Sequence, residues 1–210
     1  MDVARIGEFG LIERLAAIVS QGRTARPPSL LVGIGDDCAA WRIGDRVQLA
    51  TTDTMVAGVH FLSSLPWRDV GWKAMAVNVS DIAAMGGTPS YALVTLCLPP
   101  HADAAHLDEL YLGMNEACDA YGVTLAGGDI VRSDQITITV ALMGEATTDD
   151  DGNPLLMTRD GAQAGDVVAV TGYVGDSAAG LRLLAEGRMG EDEDALRLLR
   201  VHTRPQPRLR

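Results

Sequence analysis

The chain is poor in basic residues, and Lys73 is its only lysine. It carries 17 lysine and arginine residues against 28 aspartate and glutamate residues, which gives a formal net charge of −11. Because nucleic-acid backbones are bound through dense basic patches, this balance argues against nucleic acid as a partner. No Gly-x-x-x-x-Gly-Lys-Ser/Thr segment occurs, so a P-loop is excluded as the phosphate cradle. A small phosphorylated ligand stays compatible with the charge if divalent cations lie between protein carboxylates and phosphate oxygens.

Long apolar runs and paired cysteines are also absent. No stretch approaches the roughly 20 apolar residues that cross a bilayer, so no membrane partner is expected. The first residues lack the apolar core of a signal peptide, which makes the cytoplasm the expected location. Cys38, Cys97 and Cys118 are odd in number, far apart and never in a Cys-x-x-Cys pattern. This spacing indicates reduced thiols and argues against a zinc site or a disulfide framework.

Aromatic residues make up only 4% of the chain, and small aliphatic residues and glycine dominate, which suits layered packing of helices on a sheet. Apolar periodicity and helix or strand boundary residues predict seven elements in the first 146 residues. The expected elements are a helix over 7–22, a strand over 47–52, a helix from an Asp69 cap to about Met85, a strand over 91–98, a helix from an Asp103 cap to about Tyr121, and strands over 123–126 and 136–143. The predicted fold class is α/β (α+β), a mixed sheet with helices on one face.

The sequence divides at residues 147–153, where three consecutive aspartates and a Gly-Asn-Pro turn form the best linker candidate. We therefore expect one domain over 1–146 and the beginning of a second α/β domain over 147–210. In the second domain, residues 166–172 predict a buried strand. A glycine-rich turn at 175–180 follows and begins a helix that runs to about Glu186. A helix over 191–202 comes last. A turn of this kind favours anion binding, although it is also an ordinary connection between a strand and a helix. One strand and two helices cannot bury both faces of a layered domain, so we expect a fragment.

Five aspartates stand out because each lies beside glycine, serine or threonine in an apolar setting. Their oxygen ligands, with no histidine or cysteine nearby, suit a hard cation such as Mg²⁺. The candidates are Asp36 and Asp37 in the Gly33–Ala39 turn, Asp53 at a predicted strand end, Asp81 in an apolar helix, and Asp129 after Gly127-Gly128. The alternatives are a solvated turn for the first two and a surface acid for Asp81.

Several other residues accompany these acids. Thr51 and Thr52 precede Asp53 and offer further oxygen ligands. His60 follows in a glycine-bearing loop, where it is a candidate contact for a substrate phosphate or, alternatively, a structural or surface residue. Arg159 is positioned in sequence to contact a phosphate, with a surface arginine as the alternative. Tyr111 is a candidate for stacking on a nucleotide, with core packing as the alternative.

The chain resembles the thiamine-monophosphate kinase family, of the superfamily that includes aminoimidazole ribonucleotide synthetase and selenophosphate synthetase. The resemblance spans nearly the whole chain and keeps the order of the family's segments. The matching segments are GEFGLI at 7–12, GIGDDCA at 33–39, TTDTMVAGVHF at 51–61, KAMAVNVSDIAAMG at 73–86, GGD at 127–129, TRDGAQAGDVVAVTG at 158–172 and GDSAAG at 175–180.

The resemblance implies Mg²⁺-dependent transfer of the ATP γ-phosphoryl group onto thiamine monophosphate, which gives thiamine diphosphate. No covalent nucleophile of the protein is expected, since the substrate's own phosphate oxygen attacks. A homodimer formed through the sheet is implied. By position, the implied metal ligands are Asp37, Thr51, Thr52, Asp53, Asp81 and Asp129. Gly128 and Arg159 are implied as ATP contacts, with Tyr111 added as a weaker candidate, and His60 as a substrate contact.

Two alternatives stay open. The family continues with a further segment that carries another metal-binding aspartate, and these 210 residues do not include it. On the first alternative, the chain is a catalytically incomplete nucleotide-binding or dimerisation module of the same family. The other alternative is a different synthetase of the superfamily, although the catalytic N-terminal signatures of those relatives are absent here.

Overall fold

The computed structural model describes residues 2–21, 27–188 and 192–209. These residues form five helices and six strands. In chain order they are α1 (Val3–Ser20), β1 (Leu30–Val32), β2 (Ala39–Ile43), β3 (Arg46–Val56), α2 (Trp67–Ala84), β4 (Gly87–Leu98), α3 (Ala104–Tyr121), β5 (Thr124–Arg132), β6 (Thr137–Ala146), α4 (Asp176–Ala185) and α5 (Glu193–Thr203).

All six strands belong to one mixed sheet in the order β1-β2-β3-β6-β4-β5. Only β4 and β5 run parallel, and α3 provides the crossover between them. The register places Asp53 opposite Val140, Val140 opposite Val94, and Val94 opposite Gly128. The predicted mixed sheet is therefore confirmed, and β3 and β5 lie on opposite sides of the central pair β6-β4.

Helices α2 and α3 pack together, and α2 covers one face of the sheet. The face of α2 that contacts the strands contributes Met75, Val79 and Ile82, all fully buried against residues such as Leu49 and Leu142. Alternate residues of each strand point into this core, because side chains along a strand alternate between the two faces. The placement of helices on one face agrees with the prediction.

The opposite face, which we call the open face, carries no helix formed by the described residues. Tyr91 and Leu93 of β4 lie on it, with 57% and 40% of their surfaces exposed. Thr54 of β3 and Thr139 of β6 also lie there and share a hydrogen bond of 2.9 Å. The open face thus combines threonines with exposed apolar side chains.

Helix boundaries agree with the predictions in α3 and differ in α2. The Asp103 carboxylate accepts a hydrogen bond from the Ala105 amide at the start of α3, and Gly122 ends that helix in the left-handed conformation. In α2 the predicted cap was wrong, because Pro66 occupies the N-cap position and the helix begins at Trp67. Asp69 lies in the first turn instead, where a negative charge is favourable next to the free amides.

Several strands are longer than predicted, and two were missed. β3 runs to Val56, so Asp53 lies inside the strand and not at its end. β5 continues through Gly127, Gly128 and Asp129 to Arg132, where the sequence predicted a turn. The short strands β1 and β2 carry no clear alternation of apolar residues. They form because β2 pairs with the edge of β3 and β1 pairs with β2.

The predicted buried strand over 166–172 was also wrong. This segment forms no strand, and Val167 and Val168 are 89% and 95% exposed. A strand requires a neighbour that supplies backbone hydrogen-bond partners, and none of the residues in the described ranges does so. The two helices that follow are confirmed as α4 and α5, which pack on each other. The predicted start of the last helix at Glu191 lies outside the described residues.

Helix α1 forms as predicted but lies outside the core. It has a kink at Gly7, contains no buried residue, and leaves Phe9 75% exposed. The predicted stop at Gly22 lies outside the described residues. Across the described part of the chain, no helix is both long and apolar enough to cross a membrane.

Candidate functional site

The candidate site begins where β3 meets α2. The Thr51 hydroxyl donates to the Asp81 carboxylate at 2.7 Å. Two residues along β3, the Asp53 amide donates to the Asn78 side-chain oxygen at 2.9 Å, and the Asn78 amide group donates to the Ala74 carbonyl at 3.0 Å. Asn78 is completely buried. Because its side-chain oxygen and its side-chain NH2 group both have hydrogen-bond partners, Asn78 fixes the Asp53 backbone against the helix that carries Asp81.

The turn between β1 and β2 brings two further acids to this site. Gly35 has a φ of +123°, a conformation that side chains other than glycine rarely adopt, and Asp36 and Asp37 follow it. The Asp36 carboxylate accepts hydrogen bonds from the Asp37 amide at 2.9 Å and from the Arg159 amide at 3.2 Å. The Arg159 guanidinium forms a close ion pair with the Asp37 carboxylate. Arg159 therefore supplies the positive charge that faces these acids.

The acids influence one another electrostatically. Burial, followed by repulsion from Asp53 and Asp37, raises the pKa of Asp81 to about 6, against the lowering effect of the Thr51 hydrogen bond and of Arg159. Burial, followed by repulsion from Asp81, Asp37 and Asp36, raises the pKa of the Cys38 thiol to about 12. The thiol therefore stays protonated and lies beside all three acids. A cation bound here would relieve the repulsion.

The chemistry of this donor set fits Mg²⁺. Asp37, Asp53, Asp81 and Thr51 offer carboxylate and hydroxyl oxygens, which are the ligands that hard cations prefer. In the arrangement described, no three acidic, histidine or cysteine side chains of the described residues converge closely enough to hold a metal ion. Asp37 is instead paired with Arg159. A metal ion held by Asp37 would therefore compete with the Arg159 guanidinium for this carboxylate.

Thr52 lies on the other side of the sheet from these acids. Successive residues of a strand face opposite sides, and Thr51 contacts Asp81 on the helical side. Thr54, two residues beyond Thr52, faces Thr139 on the open face. The hydroxyl of Thr52 is thereby separated by the sheet from the acids at the end of α2.

Asp129 and Gly128 lie at the far edge of the sheet. Two strands separate β5 from β3, so about 14 Å lies between the backbones of Asp53 and Gly128. Asp129 shares a row with Thr54, Thr139 and Thr95, which places it on the open face. A side chain cannot be placed at Gly128, since a Cβ there would lie 1.8 Å from the Val94 carbonyl oxygen. This chain alone does not bring Asp129 to the other acids.

Among the described residues, neither His60 nor Tyr111 forms a side-chain hydrogen bond with the acids. His60 is exposed in the loop after β3, and its Nδ1 accepts a hydrogen bond of 3.0 Å from the Val56 amide. Tyr111 lies on α3, where partial burial raises the pKa of its phenol. Within the described residues no side-chain hydrogen bond links Tyr111 to the acids.

Sequence reasoning missed the role of Asn78, which lies three residues before Asp81 on α2. The signal was available, because an asparagine among the apolar residues of a buried helix must satisfy its amide group internally. Lys73, the single lysine of the chain, was also missed. It lies on α2, where its ammonium donates to the His60 carbonyl at 3.4 Å.

Comparison with known proteins bears on this arrangement. The model of the family described as AIR synthase related protein, N-terminal domain, matches residues 35–146, just over half of the chain. The chain belongs to this family. The matched residues include the β1–β2 turn from Gly35 onward, all of β3 and α2, and the strands up to Ala146.

Named relatives are similar along nearly the whole chain. The thiamine-monophosphate kinase of Aquifex aeolicus is 38% identical over 209 residues, which cover 100% of this chain and 63% of that protein. The thiamine-monophosphate kinase of Bacillus subtilis is 40% identical over 207 residues, 96% of this chain and 61% of the relative. A solved structure of AaThiL complexed with AMPPCP and TMP matches with a TM-score of 0.88 and 38% identity, over 100% of this chain and 62% of that one. The resemblance noted from the sequence is confirmed, and the chain spans about three fifths of the length of these relatives.

Proposed function

We propose that this chain is the ATP- and Mg²⁺-binding part of a thiamine-monophosphate kinase, which transfers the γ-phosphoryl group of ATP onto thiamine monophosphate. One observation carries the proposal. The acids of the β1–β2 turn, β3 and α2 meet at one end of a fold that matches, over its full length, a structure complexed with AMPPCP and TMP. A phosphotransferase needs oxygen ligands of this kind beside a place for two phosphorylated molecules.

In this proposal Asp37, Asp53, Asp81 and Thr51 hold Mg²⁺. The bound ion would neutralise phosphate charge and orient the phosphates. Thr51 and Asn78 keep the two acids of β3 and α2 in place before any ligand arrives. The protein contributes positioning and electrostatics, and no side chain forms a covalent intermediate. Thr52, which the family resemblance implied as a ligand, faces the other side of the sheet and is the weakest member of the predicted set.

We propose that Arg159 contacts ATP. Its contacts with Asp36 and Asp37 keep it at the site before ATP binds. Its guanidinium pairs with Asp37, and its amide donates to Asp36. If Asp37 helped to hold a cation, the Arg159 guanidinium would lose this partner and become available to a phosphate beside the same acids. Arginine suits this exchange because its donors match carboxylate and phosphate equally well.

We also propose a homodimer in which the open faces of two sheets pack together. Support comes from the exposed Tyr91 and Leu93 on a face that carries no helix. Gly128 and Asp129, with Tyr111 as the weaker candidate, are proposed as nucleotide contacts. Asp129 lies on the open face, so mixing of variants decides whether it serves its own chain or the partner.

Mixing of variants tests whether Asp129 acts across the dimer. Asp53→Asn and Asp129→Asn are each expected to weaken Mg²⁺-dependent binding of an ATP analogue by at least tenfold. Heterodimers of the two variants contain one site with both aspartates intact, so mixing should restore about a quarter of the wild-type sites. Recovery of no sites on mixing would place Asp129 and Asp53 in the same chain's site, whereas wild-type binding in Asp129→Asn alone would place Asp129 outside the site.

The basic test of the proposed function is a binding and turnover assay. We expect Asp53→Asn to weaken Mg²⁺-dependent binding of an ATP analogue far more than Asp150→Asn, whose carboxylate is exposed in the 147–153 turn. Calorimetry measures both. Incubation with ATP, Mg²⁺ and thiamine monophosphate then tests for thiamine diphosphate. Equal effects of the two substitutions would contradict the assignment of the site.

The second candidate is a nucleotide-binding and dimerisation module without catalysis. Nucleotide binding without product would support this candidate. The division into domains at 1–146 and 147–210 stays a prediction, as does the cytoplasmic location.

A further inference from the structure

The stretch of residues 158–172, which we call the Arg159 segment, forms neither a helix nor a strand. Its internal backbone hydrogen bonds are confined to local turns. Among the described residues, every hydrogen bond that joins this segment to another part of the chain comes from Arg159 and ends on Asp36 or Asp37. These two acids therefore fasten the Arg159 segment to the β1–β2 turn.

The two neighbouring acids hold Arg159 in different ways. Asp36 Oδ1 accepts from the Asp37 amide at 2.9 Å, and Asp36 Oδ2 accepts from the Arg159 amide at 3.2 Å. Both oxygens of Asp36 are thus occupied by main-chain donors. Asp37 is paired instead with the Arg159 guanidinium, which can move away by rotation of its side chain. Asp37 is therefore the acid whose partner can be exchanged, and Asp36 is the acid whose partners are fixed.

We propose that Asp36 is a positioning residue for Arg159, which holds the main chain of the Arg159 segment while the guanidinium changes its partner from Asp37 to a phosphate of the nucleotide. This inference rests on the proposed function and gives the two adjacent aspartates separate roles. With the Arg159 amide held, the exchange needs only a rotation of one side chain. Without Asp36, release of the guanidinium would remove the last hydrogen bond between the segment and the turn, and binding would have to order the backbone as well.

Hydrogen exchange of the Arg159 amide, followed by NMR on the whole chain, tests the hold directly. We expect exchange about tenfold faster in Asp36→Ala than in the wild type, because the alanine offers no acceptor to this amide. Asp36→Asn keeps one acceptor oxygen and should give a rate between the two. Asp160→Ala is the matched control, since Asp160 is an exposed acid next to Arg159, and it should leave the rate unchanged. Equal rates in the wild type and Asp36→Ala would overturn the hold.

Binding of an ATP analogue with Mg²⁺, measured by calorimetry, tests whether the hold serves the site. Arg159→Met and Asp36→Ala should each weaken binding about tenfold, and Asp36→Asn should weaken it less. The double variant Asp36→Ala/Arg159→Met should bind about as weakly as Arg159→Met alone, because Asp36 acts through Arg159. Additive losses in the double variant would mean that Asp36 acts independently of Arg159, and equal losses in Asp36→Asn and Asp36→Ala would mean that only its charge matters. Either result would overturn the positioning role.

The two experiments fail separately from the proposed function. If the wild-type chain does not bind the ATP analogue with Mg²⁺, the proposed function fails for this chain, and exchange of the Arg159 amide still decides whether Asp36 holds the segment. Circular dichroism checks that each variant is folded. If Asp36→Ala does not fold, Asp36→Asn takes its place in the exchange measurement and in the cycle with Arg159→Met, with the same expected directions.

Discussion

Asp81 is the residue at which metal binding and fold stability conflict. Its carboxylate is partly buried, and Asp53 and Asp37 repel its charge, which together raise its pKa to about 6. A carboxyl group whose pKa is higher in the folded chain than in the unfolded chain destabilises the fold when it is ionised. This cost is present above pH 6 and disappears as the pH falls from about 6 towards 3.8. A bound cation would remove the same cost at neutral pH.

Asp81→Asn should therefore stabilise the chain in the absence of divalent cations. We expect its melting temperature to exceed that of the wild type by roughly 4 °C at pH 8, since the neutral amide keeps a partner for Thr51 and is not repelled. At pH 4 the difference should be close to zero, because Asp81 itself is then protonated. Thermal unfolding followed by circular dichroism measures both, with Asp150→Asn as the exposed control. A gain of equal size at both pH values would show that charge is not its cause.

At the scale of elements, the end of α5 is fastened to α2 and α3. Arg204 forms salt bridges with Asp69 of α2 and Glu116 of α3, and its guanidinium lies 4.4 Å from the centre of the Trp72 ring. The Trp72 ring nitrogen donates to the Pro205 carbonyl at 2.7 Å. Hydrogen bonds from Arg204 and Arg68 also hold the pKa of Glu116 below its usual range. This contact joins the last helix to the domain that carries the acids.

Arg204→Ala should loosen this attachment. The substitution removes two ion pairs and the contact with Trp72, so we expect unfolding to become easier by about 2 kcal/mol. Arg182→Ala is the matched control, because Arg182 forms an exposed pair with Glu186 at the end of α4, and such surface pairs contribute little to stability. Urea titration measures both. Similar losses in the two variants would mean that the Arg204 contacts contribute no more than a surface pair.

At the scale of the whole molecule, the open face is the surface through which the proposed dimer would form. The face carries Tyr91, Leu93 and the threonines of β3 and β6, and Asp129 lies on it. An exposed apolar face on a soluble domain marks an interaction surface. A second copy of the chain fits the proposal because it would both cover the face and bring a second Asp129.

Leu93→Lys should convert the proposed dimer into a monomer, since a buried ammonium without a partner strongly disfavours the interface. Light scattering coupled to gel filtration measures the mass. Leu112→Lys is the control, because Leu112 is 43% exposed, close to the 40% of Leu93, but lies on α3 away from the open face. A wild-type chain that is monomeric at micromolar concentration would contradict the proposed dimer. A dimer that persists in Leu93→Lys would place its interface elsewhere.

Patterns local in sequence were enough to predict several parts of the chain. The Asp103 cap and the Gly122 stop were predicted correctly because each satisfies free backbone groups within one turn. The apolar α2 helix with Asp81 on it was predicted for a similar reason, since its periodicity is complete within 18 residues. The alternation of β6 likewise predicted a half-buried strand. The five aspartates and their preference for a hard cation also followed from residue type alone.

Only the tertiary structure decided which of those acids meet. The interior position of Asp53 depends on pairing with β6, and the position of Asp129 depends on a strand order that places β6 and β4 between them. The sequence alone also did not reveal that Val167 and Val168 are exposed, because an apolar run becomes a strand only where another strand offers hydrogen-bond partners. The ion pair of Asp37 with Arg159 joins residues 122 positions apart. The sequence by itself determined the chemistry of the ligands, whereas distances between remote residues are set by sheet pairing, which no local pattern encodes.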